Sequence, residues 1–289
     1  MSIVNATTLR NFLFFGSSQI YGWQGSYDKR SFPFGTFMQD LDPRMTATID
    51  GLVGDCLGGS GCFVSYPPGK TGPTGMLNRI MALSLSTSAN QNQKNNPNLP
   101  DQPPCSDQYD WIIFLAGGRD IANSCQNNNP FWYNNSPGEL EKITDYVMKN
   151  TVNTKMYLLL ACQGPFFKGN GECAKFWEPY RTNFMLKANE MQDKYKGRVY
   201  ANESNPFILG YTDDYFFDGV HLDESGNKNL ARGLADQINV LERGNIINVS
   251  TRELGPPKKD SAIPTNASSP IAIFTLSLFY LISIFTFLF

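Results

Sequence analysis

Trp111-Ile112-Ile113-Phe114-Leu115-Ala116-Gly117-Gly118-Arg119-Asp120 is an unbroken apolar run that stops on a pair of glycines. A continuous run, as opposed to an alternating one, suits a strand buried on both faces of a parallel sheet. Two other runs share this character: Asn11 to Phe15, ending in Gly16-Ser17-Ser18, and Met156 to Ala161. Met45 to Ile49 and Arg198 to Ala201 read as weaker strands. Helical stretches separate them. Phe32 to Leu41 and Phe176 to Lys194 are two, and Met76, Leu77, Ile80, Met81 and Leu83 mark the face of a third. Ser136-Pro137-Gly138-Glu139 opens a fourth in capping-box form, with Leu140, Ile143 and Val147 on its apolar face. A last helix follows Asp223 as N-cap, with Leu230, Leu234, Ile238 and Leu241 in one stripe. Strands alternating with helices predict βαβ units and an α/β fold on a parallel sheet.

The chain has 289 residues, 41% of them apolar, and a net charge of −2, which gives one folded domain room for a sizeable core. No basic run or basic helix points to nucleic acid. The domain is placed at 11–243, after a short lead at 1–10 and with an Asn/Gln/Pro-rich insertion at 86–108. A polar, Pro-rich stalk covers 244–270. The tail at 271–289 is uncharged and almost wholly apolar, and at about 1.5 Å per helical residue it reaches roughly 28 Å, enough to cross a bilayer core. It reads either as a transmembrane anchor or as the removable signal for a GPI anchor. The second reading takes Asp260-Ser261-Ala262 as the small-residue site and Ile263 to Pro270 as the spacer, with Asn266-Ala267-Ser268 as a poorer site.

Met1 to Arg10 holds no apolar core of signal-peptide length, so a GPI anchor implies a start codon upstream of Met1. The alternative is a tail-anchored protein whose domain faces the cytosol. Six cysteines lean towards an oxidising compartment, and they fall as the local pairs Cys56/Cys62, Cys105/Cys125 and Cys162/Cys173. Sequons stand at Asn5, Asn134, Asn202, Asn248 and Asn266. The expectation is a membrane-anchored, disulfide-bonded monomeric glycoprotein with its domain at the cell surface or in the secretory pathway.

The sequence contains one histidine, in Asp218-Gly219-Val220-His221-Leu222. Proton shuttling near neutral pH is mostly imidazole work, so His221 is the candidate base. Asp218, across an Asp-Gly turn, can accept a hydrogen bond from the ring and fix its tautomer. In a parallel sheet the functional loops leave the carboxyl ends of the strands. That rule brings Ser18, Gly54 and Arg119 to one edge with His221. A serine nucleophile needs such a base, and backbone N–H groups near the attacked carbonyl lower the barrier. Trp132, Phe166 and Phe217 belong to aromatic clusters assigned to loops at this edge, where they could line a substrate pocket. Asp213-Asp214 reads as a solvated loop, and no ligand cluster suggests a metal.

Four blocks in this order resemble the SGNH, or GDSL-type, serine hydrolases over roughly Asn11 to Leu241. Gly16-Ser17-Ser18 is similar to the first block, Gly-Asp-Ser; Gly54 matches the second-block glycine; Gly117-Gly118-Arg119-Asp120 matches Gly-x-Asn-Asp; and Asp218-Gly219-Val220-His221 matches Asp-x-x-His. The resemblance implies a three-layer α/β/α sandwich on a mostly parallel, flavodoxin-like five-stranded sheet. It also implies a serine esterase working through an acyl-enzyme on lipid acyl esters or carbohydrate O-acetyl groups, with no cofactor. Ser18 would be the nucleophile, His221 the base, Asp218 its orienting acid, and Ser18, Gly54 and residue 119 the oxyanion donors. The chain departs from the family at Ser17, usually aspartate, and at Arg119, usually asparagine. Arg119 could donate to the oxyanion, spoil the hole, pair with Asp120 or Asp55, or clamp a substrate carboxylate or phosphate. The alternative function is a catalytically lapsed SGNH domain that binds surface glycan or lipid.

Overall fold

The computed structural model describes residues 9–26, 29–30, 33–58, 62, 64, 66, 69–85, 107–169, 171–208 and 210–242. Five strands form one sheet: β1 (Arg10–Gly16), β4 (Met45–Gly51), β5 (Trp111–Ala116), β6 (Lys155–Leu160) and β7 (Val199–Glu203). All neighbouring pairs are parallel, in the order β4-β1-β5-β6-β7. This is the flavodoxin-like order that the family resemblance implies. A small antiparallel ribbon, β2 (Trp23–Ser26) and β3 (Lys29–Arg30), follows β1.

Side-chain alternation along the central strands divides the core in two. Phe12, Phe14, Trp111, Ile113 and Leu115 face α2 (Phe34–Leu41) and α8 (Glu224–Glu242), where they meet Phe34, Met38, Leu230, Leu234 and Ile238. Leu13, Phe15, Ile112, Phe114 and Leu158 face the opposite layer, built from α3 (Met76–Ala82), α4 (Gly118–Gln126), α5 (Phe131–Asn150) and α7 (Gly171–Lys194). The continuous apolar runs are continuous because both faces are covered. Asp223 caps α8, its carboxylate accepting the Gly226 N–H at 2.7 Å.

Two expectations from the sequence are corrected. Ser136 does not open a helix: α5 begins at Phe131, so Ser136 and Pro137 lie inside it, and Phe131, Trp132 and Tyr133 form its first turn instead of a loop. The Asn129 carboxamide and the Pro130 carbonyl, which accept Phe131 N and Asn134 N at 3.0 and 2.8 Å, start the helix earlier. Ser136 turns its hydroxyl to the buried Asp120 at 2.8 Å.

The cysteine pairing differs as well. Cys56 is joined to Cys62, but Cys125 is joined to Cys173, and Cys162 is free and buried. Cys162 belongs to the core on one face of the sheet and Cys173 to the core on the other, so no bond between them is possible. Cys125 on α4 faces Cys173 on α7 with their Cα atoms 4.9 Å apart. Cys105 lies outside the described residues, as do most of the 86–108 insertion, the 244–270 stalk and the 271–289 tail.

Non-reducing peptide mapping is expected to recover a Cys125–Cys173 link, and a Cys105–Cys125 link would contradict the fold. Because this bridge spans 48 residues of sequence, replacing both cysteines by alanine should lower the unfolding free energy by about 2–4 kcal/mol, read from the urea midpoint.

Candidate active site

The site lies at the carboxyl edge of the sheet. There β1 passes through Gly16 into the short helix α1 (Ser18–Tyr21), with Ser17 as its N-cap. A side chain on Gly16 would put its Cβ 2.2 Å from the Leu115 carbonyl oxygen, and one on Gly51 would sit 2.2 Å from Tyr21 N. Glycine at these two positions lets α1 rest directly on the strand ends. Ser18 is thereby held at the edge, with no described partner for its backbone N–H.

The loop carrying His221 reaches Ser18 from the other end of the chain. Asp218 Oδ1 accepts the backbone N–H groups of Val220 at 3.0 Å and His221 at 2.8 Å. Its other oxygen lies 2.7 Å from His221 Nδ1, and His221 Nε2 lies 2.7 Å from Ser18 Oγ. Asp218 can only accept, so Nδ1 carries the proton and Nε2 is left to accept from the serine hydroxyl. Burial would raise the Asp218 pKa, but the His221 ring and the two backbone donors outweigh it and hold the carboxyl below its ordinary value.

Two contacts dock this loop. The Gly219 carbonyl accepts Phe166 N at 3.0 Å, an approach that leaves no room for a side chain on Gly164. Gln19, the residue after Ser18, donates to the Val220 carbonyl at 2.8 Å.

A cavity of about 390 Å³ opens beside Ser18, Asp218 and His221. Gly54, Gly118 and Arg119 line it on the sheet side, and Trp23, Val53, Ala122, Phe166 and Val220 give it apolar walls. Gly54 has φ +78°, which points to glycine, and its N–H has no described partner. Gly117 has φ +106° and lies under the Tyr180 ring, again excluding a larger residue.

Asp120 does not pair with Arg119 in a hydrogen bond. Its carboxylate accepts Leu57 N at 3.1 Å and Gly58 N at 2.6 Å, and so fastens the loop that follows Gly54. Full burial pushes its pKa up to about 6, against the lowering effect of those two donors and Ser136. Asp55 is likewise committed, to Arg79 at 2.6 Å and to Cys56 N at 3.1 Å.

Of the three aromatic residues assigned to the pocket, Phe166 lines the cavity, from the short helix α6 (Pro165–Gly169) and not from the loop expected. Trp132 and Phe217 do not: Trp132 packs its backbone against Gly58, and Phe217 is 53% exposed over Gly25. The sequence reading missed Trp23, Gln19 and Arg79. Trp23 follows Gly22, whose left-handed φ of +76° ends α1 and turns the chain back to the cavity. An aromatic residue just past a helix-ending glycine was its one signal. Arg79 sits between Met76 and Ile80 on α3, a position within an apolar face, and that was its signal. Among the described residues no group of three or more His, Cys, Asp or Glu side chains is placed to hold a metal.

No family model and no curated protein sequence matches the chain. Solved structures do match. A carbohydrate acetylesterase family member from Sinorhizobium meliloti aligns over 81% of this chain and 99% of its own, at 14% identity and a TM-score of 0.51. A candidate arylesterase from Agrobacterium tumefaciens aligns over 81% of this chain and 100% of its own, at 14% identity and a TM-score of 0.50. The chain therefore shares the α/β fold of these two proteins.

The raised pKa of Asp120 carries a pH signature. A carboxyl whose folded pKa exceeds its unfolded value favours the fold while protonated, and loses that advantage as pH rises through the folded value. Relative to Asp120→Asn, the wild-type protein should lose roughly 3 kcal/mol of stability between about pH 4 and pH 7.5. Denaturant melts of both proteins across that range check it. Parallel curves would mean that Asp120 does not titrate there.

Proposed function

We propose that the protein is a serine esterase that cleaves carboxylic esters through an acyl-enzyme. The observation that carries this reading is the relay from Ser18 Oγ to His221 Nε2 and from His221 Nδ1 to Asp218, 2.7 Å at each step. Ser18 Oγ attacks the acyl carbon while His221 takes its proton, and Asp218 stabilises the imidazolium that forms. The carbonyl oxygen becomes an oxyanion held by the N–H groups of Ser18 and Gly54, with Arg119 in the place of the family's third donor. Collapse breaks the ester bond, and His221 passes the proton to the departing alcohol. Water then attacks the acyl-enzyme with His221 again as base, releasing the acid and restoring Ser18. No step calls on a cofactor.

A cavity of about 390 Å³ suits a short acyl group better than a long chain. Together with the acetylesterase among the similar structures, this favours O-acetyl groups on carbohydrate over lipid acyl esters as the substrate. We also place the protein at a membrane, anchored through Ile271 to Phe289, with the domain at the cell surface or in the secretory pathway. That placement is supported by the uncharged tail and by the disulfides Cys56–Cys62 and Cys125–Cys173. Among the described residues no helix is long and apolar enough to cross a membrane, and the tail lies outside them.

A fluorophosphonate should label Ser18 in the wild-type protein, and His221→Ala should lose about 10³-fold or more of its activity on p-nitrophenyl acetate, since the sequence has no other histidine. An unlabelled Ser18 in folded protein would favour a lapsed, ligand-binding domain. For the tail, phosphatidylinositol-specific phospholipase C is expected to release the protein from cells. Recovery of the Ile271–Phe289 peptide from the mature membrane-bound protein would instead make it a transmembrane anchor.

A further inference from the structure

Arg119 differs from Arg10, Arg44, Arg79, Arg181 and Arg198 in what answers its charge. Arg10 meets Asp42 and Glu242, Arg44 meets Asp42, Arg79 meets Asp50 and Asp55, and Arg181 meets Glu178 and Glu203. Arg198 is satisfied by the Met148, Thr151 and Thr154 carbonyls. Arg119 pairs with no described carboxylate, and its Nε is buried without a hydrogen-bond partner. The described acids around the cavity are already committed: Asp120 to Leu57, Gly58 and Ser136, Asp55 to Arg79, and Asp218 to His221. The side chain instead lines the cavity that holds Ser18 and His221. Among the described residues, no acid besides Asp218, which is paired with His221, lines that cavity.

A guanidinium is permanently charged, and taking it out of water without a counter-charge is unfavourable. An oxyanion exists only fleetingly during turnover and leaves the charge unanswered when substrate is merely bound. A carboxylate or phosphate on the substrate would answer it in the bound state, and a planar fork of five N–H donors has capacity for such a group beside the acyl oxygen. We infer that Arg119 makes this cavity selective for anionic esters, in which a carboxylate or phosphate lies within a few bonds of the scissile carbonyl. The inference rests on the esterase reading for its substrate but not for its binding site.

The test uses three esters: phenyl acetate, 4-acetoxybenzoate and 4-acetoxyphenyl phosphate. The wild-type protein should show a kcat/KM about 10- to 100-fold higher for one or both anionic esters than for the neutral one, the range of a charge-assisted contact. Which anionic ester leads tells carboxylate from phosphate. Arg119→Gln should abolish the preference and Arg119→Lys should keep part of it. Equal losses on neutral and anionic esters in Arg119→Gln would make residue 119 an oxyanion donor alone and overturn the proposal, as would the absence of any preference in the wild-type protein. Calorimetric titration of Ser18→Ala with benzoate and phenyl phosphate separates this from failure of the esterase reading. Binding that disappears on adding Arg119→Gln supports the clamp even where no ester is cleaved, and absence of binding to either anion counts against it.

Discussion

The guanidinium of Arg79, 4% exposed, is where the two loops that build the site are tied together. Nη1 donates to the Gly16 carbonyl at 3.0 Å and to Asp55 at 2.6 Å, while Nη2 donates to the Asp50 carbonyl at 2.9 Å and meets the Asp50 carboxylate. Its face lies 4.6 Å from the centroid of the Phe15 ring. Gly16 leads into Ser17-Ser18, and Asp55 follows Gly54. A single cation therefore sets the spacing between the Ser18 backbone and the Gly54 N–H. Buried pairs of this kind add little net stability, but removing one partner leaves the other charge stranded, typically at about 3–5 kcal/mol. Burial already presses Asp55 towards its neutral form, so Arg79 is what keeps the arrangement in one state.

That polar tie works because the backbone around it is packed without side chains. Gly16 stands where a Cβ would meet the Leu115 carbonyl, and Gly51 where one would meet Tyr21 N. In the sheet, Gly16 is level with both Gly51 and Leu115. The three strand ends thus form a flat shelf on which α1 lies. A larger residue at either glycine would lift Ser18 away from the His221 imidazole, and a hydrogen bond of 2.7 Å has little slack.

Much of this was legible in the sequence. Strands buried on both faces leave unbroken apolar runs, so Phe12 to Phe15, Trp111 to Ala116 and Met156 to Leu160 announced the sheet and its parallel sense. The meeting of Ser18 with His221 followed from topology, since both lie beyond the carboxyl ends of strands. What was not legible depends on which face a side chain takes. Cys125, Cys162 and Cys173 looked pairable by spacing, yet the sheet separates the last two. Ser136 looked like a cap because its pattern with Glu139 is local, whereas its hydroxyl answers to Asp120, a residue distant in sequence. Arg79 and Asp55 carry no motif, and their partnership exists only once α3 packs beside β1 and β4.

The two departures from the family pattern have different physical weights. Ser17 is 3% exposed and acts as the N-cap residue of α1, so the missing aspartate removes a charge from a place where the backbone is already held by Arg79 and the glycine shelf. Arg119 adds a charge where the described acids nearby have other duties. Desolvation lowers its pKa, and Asp120, which opposes this, spends its oxygens on Leu57, Gly58 and Ser136. Asparagine in this position would offer a neutral donor of fixed reach. Arginine offers a donor and a field, and the field acts on negative charge over several ångströms when the surroundings exclude water. On the proposed esterase reading, a positive charge on the cavity wall would favour both the developing charge on the acyl oxygen and any anionic substituent beside it. Geometry alone divides its effect between the two.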